Sequence, residues 1–217
     1  MLDIRGQPLI HRLVNSLRDS GIADLTVVRG YRKDVIDLSD VQYVDNDDFA
    51  ETGEVASLAC AKKALAGPVV IVYGDILFRR FVLDGLMQDM RDISIVIDGR
   101  RRASASARAI DLVRCSERYT DDFHGADDQI ILISFGVPAT ESDGESVGLV
   151  KLSAAGTEAV VREIEEMEAD GTAAHALLPD LLKRLLDKGQ QIGVHYIAGH
   201  WLDVDDVAGL ARARNFT

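Results

Sequence analysis

The 217-residue chain carries 24 Lys and Arg against 36 Asp and Glu, which gives a formal net charge of −12. So acidic a surface repels the phosphates of nucleic acid, and this excludes nucleic acid as an expected partner. Hydrophobic residues make up 47% of the chain, enough for a core, yet no apolar run reaches the roughly 18–20 residues needed to span a bilayer. Two cysteines and the absence of a signal-peptide pattern in residues 1–8 predict a cytoplasmic protein.

The first hundred residues alternate between helical and strand-like patterns. Apolar residues recur at helical spacing after Pro8 and stop at Gly21, which predicts a first helix. The continuous apolar run at 69–73 is typical of a central strand buried on both faces. This β-α-β order implies a mostly parallel sheet. The predicted strands are 25–29, 41–44, 69–73 and 93–97, and the further predicted helices are 55–65 and 81–90.

The middle of the chain differs, because strand-like segments follow one another there with little helix between them. We expect a mixed or antiparallel extension of the sheet. Two helices follow, the first with Ser153 as its N-cap. Without an internal repeat or a Pro/Ser-rich linker, the whole chain, residues 1–217, is interpreted as one α/β domain. The predicted strands here are 107–114, 129–135, 147–152 and 192–197, and the helices are 153–169, 174–187 and 205–213.

Three predicted strands lead into acidic residues. They are Asp75, Asp98, and the pair Asp203 and Asp205. Ligands of open α/β sheets sit beyond the carboxyl ends of the strands. Two residues spaced by two share one face of an extended segment, so this pair could face Asp75 and form the hard oxygen site that Mg²⁺ prefers. The alternatives are a solvated turn residue for Asp75 and a helix N-cap for Asp205.

Six segments between Asp3 and Ala213 carry short motifs. They are 3–10 (DIRGQPLI), 21–31 (GIADLTVVRGY), Asn46 with 54–58 (EVASL), 73–75 (YGD), 144–153 (GESVGLVKLS) and 201–205 (WLDVD). In this order they resemble the nucleotidyltransferase family that acts on sugar phosphates, phosphocholine and phosphonates. The likeness is greatest to cytidylyltransferases of the phosphocholine and 2-aminoethylphosphonate type. The resemblance implies a Rossmann-like, mixed but mostly parallel sheet flanked by helices, of the nucleotide-diphospho-sugar transferase type.

The resemblance also implies an activity: Mg²⁺-dependent transfer of a nucleotidyl, in particular cytidylyl, group to a small phosphate or phosphonate, with release of pyrophosphate. A nucleoside triphosphate, with CTP favoured, would be the donor, and a homodimer or a fusion to a phosphomutase-type domain is compatible with it. Two alternatives stay open: Ser57 as an ordinary helix residue and Trp201 as a core residue, each without a binding role. The implied sites are metal ligands Asp75, Asp203 and Asp205; nucleotide-binding Asn46, Ser57, Tyr73 and Gly74; and substrate-binding Tyr31, Glu145, Lys151 and Trp201.

One departure from the family pattern concerns its phosphate loop. Family members carry a strand and a loop of the type AAGxGxRL…PK ahead of the position of Met1, and we expect this chain to lack both, so no catalytic Arg or Lys is assigned. A fragment, a misassigned start and lost catalysis are the three interpretations. The alternatives to the enzyme are therefore an inactive nucleotide-binding or interaction module, and a glycosyltransferase. The latter would carry a paired Asp-x-Asp, whereas Tyr73-Gly74-Asp75 holds one acid.

Overall fold

The computed structural model describes residues 3–100, 108–120, 129–204 and 207–216, and it confirms an α/β fold with a mixed sheet and helices. The chain falls into two compact units. The first comprises Met1–Ala23, Val70–Lys151 and Gln191–Thr217, and the second comprises Asp24–Val69 and Leu152–Gln190. Across the described ranges, no helix combines the length and the apolar character that crossing a bilayer requires.

Strands and helices alternate in the first part of the chain, as predicted. The strands are β1 (Asp3–Ile4), β2 (Gln7–Pro8), β3 (Thr26–Arg29), β4 (Gln42–Asp45), β5 (Val69–Val72), β6 (Ile76–Phe78), β7 (Ile93–Asp98), β8 (Leu112–Cys115), β9 (Leu132–Phe135), β10 (Gly144–Leu152), β11 (Gly193–Ile197) and β12 (Trp201–Asp203). The helices are α1 (Leu9–Asp19), α2 (Glu54–Cys60), α3 (Arg80–Gln88), α4 (Ala154–Ala169), α5 (Leu178–Asp187) and α6 (Val207–Ala213).

The main sheet has the order β11-β7-β10-β8-β9, and β5 joins it through β10. β11 and β7 run parallel, whereas β8 is antiparallel to both β10 and β9. The predicted antiparallel extension is therefore confirmed. Every residue of β7 is buried, so β7 is a central strand.

The expectation for the run at 69–73 is wrong in one respect. All four residues of β5 are half-buried, not buried on both faces, and β5 lies off the main path of the sheet. A continuous apolar run reports that a segment is hydrophobic, but it does not report how many strands cover that segment. The pattern of β5 and that of β7 are therefore alike in sequence and different in burial.

A separate two-stranded ladder follows β5 in the first unit. β6 pairs antiparallel with β12, with Trp201 opposite Phe78 and Asp203 opposite Ile76. Neither strand was predicted, because each has only three residues and hence too few to show an alternating pattern. Leu77 and Leu202, one from each strand, lie at the alternate positions. They belong to a hydrophobic cluster with Ile4, Leu9, Val204, Leu210, Ala213 and Phe216.

The first helix, α1, is built as its periodicity predicts. Four of its apolar side chains are buried along one face, and the chain then turns at Gly21, whose φ is 87°. A positive φ at the end of a helix favours glycine, which has no Cβ to clash. The four buried residues are Leu9, Leu13, Val14 and Leu17.

The second unit holds the parallel pair β3 and β4 with α2, α4 and α5. Ser153 caps α4 as predicted, since its hydroxyl accepts a hydrogen bond of 3.1 Å from the amide of Gly156. The helix predicted at 174–187 begins only at Leu178. The reason is a side-chain cap at N3: the carboxylate of Asp180 accepts the amide of Leu177 at 2.8 Å, and Leu177, the N-cap residue, is extended.

Three other predicted elements, which correspond to α2, β8 and β10, have different boundaries in the structure. α2 ends at Cys60, and a 3₁₀ turn at Lys62–Ala64 replaces the rest of the predicted helix. The strand predicted at 107–114 contains a 3₁₀ turn at Ala109–Asp111 before β8 begins. The strand predicted at 147–152 is longer, because β10 already begins at Gly144. The closing helix is described from Val207 onward.

Candidate functional site

Two of the residues predicted to bind metal lie in the first unit: Asp75 comes shortly after β5, and Asp203 is the last residue of β12. Tyr73, directly after β5, donates its amide to the carbonyl of Gly148 at 3.0 Å. The chain then turns through Gly74 and Asp75, both exposed, into β6. The amide of Val204 donates to the carbonyl of Asp75 at 2.9 Å, and Asp203 lies opposite Ile76. Asp75 therefore lies opposite Val204, one position away from Asp203 across the ladder.

Asp75 lies in the turn before β6, opposite Val204, whereas Asp203 lies opposite Ile76, so the two acids are diagonal neighbours at the end of the ladder and do not face each other directly. Both carry carboxylates, the ligands that a hard cation such as Mg²⁺ prefers. Asp75 is exposed, whereas Asp203 is half-buried and its Oδ1 is shielded from solvent. Within the described ranges no three His, Cys, Asp or Glu side chains form a metal cluster, but Mg²⁺ commonly takes one or two carboxylates and completes its shell with water and substrate phosphates. Asp205, the third predicted ligand, lies outside the described residues.

Trp201 is part of the packed interior of this ladder. It is 6% exposed, and its indole Nε1 donates a hydrogen bond of 2.8 Å to Oδ2 of Asp98. Asp98, the acid at the end of β7, is 1% exposed, and its Oδ1 accepts the amides of Gly199 and Arg100, each at 3.1 Å. The two acidic strand ends thus differ: Asp75 faces solvent, whereas Asp98 holds neighbouring backbone and the indole.

Tyr73 lies against β10 at a glycine. Gly148 has φ 76°, and a Cβ there would lie only 2.2 Å from Cδ2 of the Tyr73 ring. The guanidinium of Arg108 lies 5.5 Å from the centre of the same ring, and Nη2 of Arg108 is 3.4 Å from the tyrosine hydroxyl. Arg108 also pairs with Asp111 at 2.7 Å. A cationic group therefore lies on the residue that leads into Gly74 and Asp75.

Arg108 was missed by the sequence reasoning. It falls within the strand predicted at 107–114 and carries no motif there, so nothing in the sequence marked it as a site residue. The Arg108 side chain is 46% exposed, so its guanidinium contacts solvent while it lies near the Tyr73 ring.

The two residues predicted on the substrate side of β10 are far apart. Glu145 is 5% exposed and pairs with Leu112 of β8. Lys151 donates its ammonium to the carbonyl oxygens of Asp89 and, at 3.1 Å, Arg91. At about 3.3 Å per residue of strand, six positions correspond to roughly 20 Å. One small substrate cannot contact both side chains along this strand.

Three predicted residues lie in the second unit. The side-chain amide of Asn46 donates to Ser57 Oγ at 3.1 Å and to Thr52 Oγ1 at 3.0 Å, while its oxygen accepts the amide of Asp48. The structure thus brings Asn46 and Ser57 into direct contact, and Thr52 joins them. Tyr31 is 74% exposed and packs edge-on against Phe49 with ring centres 6.2 Å apart. The assignment of these residues to a nucleotide or a substrate stays a prediction.

Electrostatics in the first unit are dominated by close local pairs. The pKa of Asp89 is lowered: burial opposes ionisation, but hydrogen bonds from Arg91 outweigh it. Burial raises the pKa of the Cys115 thiol to about 12. Neither group lies on the ladder that carries Asp203, so neither is assigned to the site.

Solved structures share this fold at low sequence identity. The CTP:phosphocholine cytidylyltransferase from Streptococcus pneumoniae (LicC) has a TM-score of 0.68 and 19% identity, covering 98% of this chain and 86% of that chain. The inositol-1-phosphate CTP transferase from T. maritima has a TM-score of 0.68 and 17% identity, covering 97% and 83%. No curated protein sequence matches the chain significantly.

The fold is that of the nucleotidyltransferases. The model of the MobA-like NTP transferase domain matches residues 1–189, and the chain belongs to this family. The resemblance read from the six motifs is therefore confirmed at the level of the family and the fold.

Proposed function

We propose that this chain binds a nucleoside triphosphate with Mg²⁺ and transfers its nucleotidyl group, cytidylyl in particular, to a small phosphate or phosphonate with release of pyrophosphate. The observation that carries the proposal is the antiparallel pairing of β6 with β12, which brings Asp203 to one position from Asp75 across the ladder in a member of the NTP transferase family. The cytidylyl preference is supported by the two cytidylyl-transferring structures that share the fold.

The chemistry asks little acid–base work of the protein. A phosphomonoester is already largely dianionic at neutral pH, because its second pKa is near 6. Attack on the α-phosphorus therefore needs positioning and charge stabilisation more than a general base. Asp75 and Asp203 would hold Mg²⁺, which when bound neutralises charge on the phosphates. Charge neutralisation by the metal ion would allow so acidic a chain to bind a triphosphate.

Arg108 supplies a second source of positive charge in the first unit. Its guanidinium is fixed by Asp111 and by the Tyr73 ring, and it remains half exposed. Fixed guanidinium groups recognise phosphate and carboxylate oxygens by paired N–H donors. Arg108 is therefore proposed to orient an anionic group close to Gly74 and Asp75. Glu145 could attract an ammonium head group if it opens to solvent on binding.

A thermal-shift screen tests the proposal. CTP, UTP, GTP and ATP are each added with and without Mg²⁺ to the full chain. A ligand at about 100 times its Kd stabilises the folded protein by about 2.7 kcal/mol, which for this size corresponds to a rise in Tm of roughly 5–10 °C. We expect the largest rise with CTP and Mg²⁺, and no rise that needs Mg²⁺ with any triphosphate would contradict the proposal.

Turnover is measured next, as pyrophosphate release with phosphocholine, 2-aminoethylphosphonate, inositol 1-phosphate and glucose 1-phosphate as acceptors. Release that depends on both CTP and one acceptor supports nucleotidyl transfer and names the acceptor class. Mg²⁺-dependent binding without any release would instead assign the chain to a nucleotide-binding module.

A further inference from the structure

Asp98 is a buried carboxylate whose hydrogen bonds converge on one short segment. It is 1% exposed, and among the described residues its oxygens accept Nε1 of Trp201 at 2.8 Å and the amides of Gly199 and Arg100 at 3.1 Å. Burying an ionised carboxylate is costly unless N–H donors satisfy it. Of the three donors, Gly199 belongs to the connection between β11 and β12 and Trp201 is the first residue of β12, so Asp98 holds the chain on both sides of His200.

The connection between β11 and β12 is a strained turn. Gly199 and His200 both have positive φ, 78° and 68°. For a non-glycine residue such as His200 this conformation is unfavourable, so neighbouring contacts must hold it. Asp98 binds the residues on either side of His200. In addition, the carbonyl of His200 accepts the amide of Arg79 at 2.9 Å, and its ring packs edge-on to Phe81.

The register of β12 depends on this turn. β12 has three residues, and its pairing places Trp201 opposite Phe78 and Asp203 opposite Ile76. A slip of one residue would reverse the faces of Trp201 and Asp203. So short a ladder has few hydrogen bonds of its own to prevent the slip. The indole of Trp201, anchored on Asp98, fixes the strand two residues before Asp203.

We propose that Asp98 is a positioning residue: by holding Gly199 and the Trp201 indole, it sets the register of β12, in which Asp203 lies opposite Ile76 and diagonally across from Asp75. The inference rests on the proposed function for the role of the two carboxylates. It does not make Asp98 a metal ligand, because its side chain is buried and engaged by N–H donors.

The chain offers a direct readout, since Trp201 is its only tryptophan. In Asp98→Asn one carboxylate oxygen becomes an NH₂ donor, which meets either the indole N–H or the amides of Gly199 and Arg100, so in both orientations of the amide the contacts that hold the Trp201 indole and the turn before it change. We expect the emission of Trp201 to shift to the red without any ligand present, while far-UV circular dichroism stays that of a folded protein. Asp143→Asn is the matched control: Asp143 is also a buried carboxylate of the first unit, and it binds the amide of Cys115 and Arg118. This control should leave the emission unchanged.

Metal affinity supplies the second readout. Mg²⁺ is titrated into each variant at fixed CTP by calorimetry. Losing a hydrogen bond to a charged group predicts a Mg²⁺ affinity weaker by about tenfold or more in Asp98→Asn, and wild-type affinity in Asp143→Asn. Trp201→Phe removes the donor, so adding Asp98→Asn to it should weaken the affinity by less than the same change does in the wild type.

The outcomes separate the inference from the proposed function. Unshifted Trp201 emission in folded Asp98→Asn overturns the inference whether or not any nucleotide binds. So does a shifted emission with wild-type Mg²⁺ affinity. Wild-type protein that binds no Mg²⁺ with any triphosphate overturns the proposed function instead. If Asp98→Asn does not fold, Trp201→Phe decides: unchanged Mg²⁺ affinity in this variant counts against the inference, and weakened affinity supports it.

Discussion

The amide of Val204 donates a hydrogen bond of 2.9 Å to the carbonyl of Asp75, so Asp75, which follows β5, lies one position across the ladder from Asp203, which ends β12. The two residues are widely separated in sequence. Their meeting depends on a three-residue ladder whose other face is apolar. The proximity of Asp75 and Asp203 is therefore a product of tertiary packing.

Asp75→Asn tests the contribution of Asp75 to Mg²⁺-dependent nucleotide binding. The change removes a charge from an exposed turn residue at nearly constant volume, so we expect Mg²⁺-dependent nucleotide affinity to fall by at least about tenfold, the loss expected for one charged contact. Calorimetry with CTP and Mg²⁺ measures it. Asp19→Asn, at an exposed acid of α1, removes the same charge and should bind as the wild type. Equal affinity in both variants would rule Asp75 out as a ligand.

Gly148→Ala should destabilise the first unit. The residue has φ 76°, and its Cβ would meet the Tyr73 ring at 2.2 Å. The left-handed conformation costs about 1–2 kcal/mol, and overpacking adds about 1–3 kcal/mol. Gly136→Ala is the control, because its φ is 69° but no atom lies within 4 Å of the new Cβ. Urea denaturation should show the larger loss for Gly148→Ala; similar losses would mean that the ring moves aside freely.

The two cysteines should differ sharply in reactivity. Cys60 is exposed, whereas Cys115 is buried and its pKa is raised by burial to about 12, which leaves almost no thiolate at neutral pH. An aromatic disulfide reagent should modify one thiol rapidly in the native protein and both in denaturant. Cys60→Ser should remove the rapid phase. A rapid phase that survives in this variant would show that Cys115 is accessible.

Acid should weaken the pairing of Asp170 with Arg184 in the second unit. Hydrogen bonds from Thr172 and then Arg184 lower the pKa of Asp170 from 3.8 to about 2. A lowered folded-state pKa contributes stability above the unfolded value, and this is lost as the pH falls from 3.8 towards 2. The difference in urea midpoint between wild type and Asp170→Asn should therefore be constant near neutral pH and shrink below pH 4. Because the pair is exposed, the difference is small. A difference that grows on acidification would contradict the assignment.

Local patterns predicted the elements that carry their own signal. The spacing of Leu9, Leu13 and Leu17 identified α1, Ser153 identified the start of α4, and β7 was clear from its apolar run. β6 and β12 could not be predicted, because three residues carry too little periodicity. Likewise, the strand ends carrying Asp75 and Asp98 are both acidic in sequence, and only the packed structure shows that one faces solvent and the other binds Trp201.

The sequence indicated which residue types belong to the site, but not which of them contact each other. The GD step after β5 and the acids after Trp201 suggested a metal pair, and Asp75 and Asp203 lie one position apart across the ladder. Arg108 had no motif, and its contact with the Tyr73 ring joins two residues far apart in sequence. A contact of this kind has no pattern in the local sequence that could predict it.

The hydrophobic cluster beneath the β6–β12 ladder has a kinetic consequence. Ile4 and Leu9 pack there with Val204 and Ala213, which come much later in the sequence. Closing so long a loop is slow, and the apolar side chains of the cluster stay uncovered in the meantime. The pairing of β6 with β12, and with it the approach of Asp203 to Asp75, is therefore expected to form late in folding.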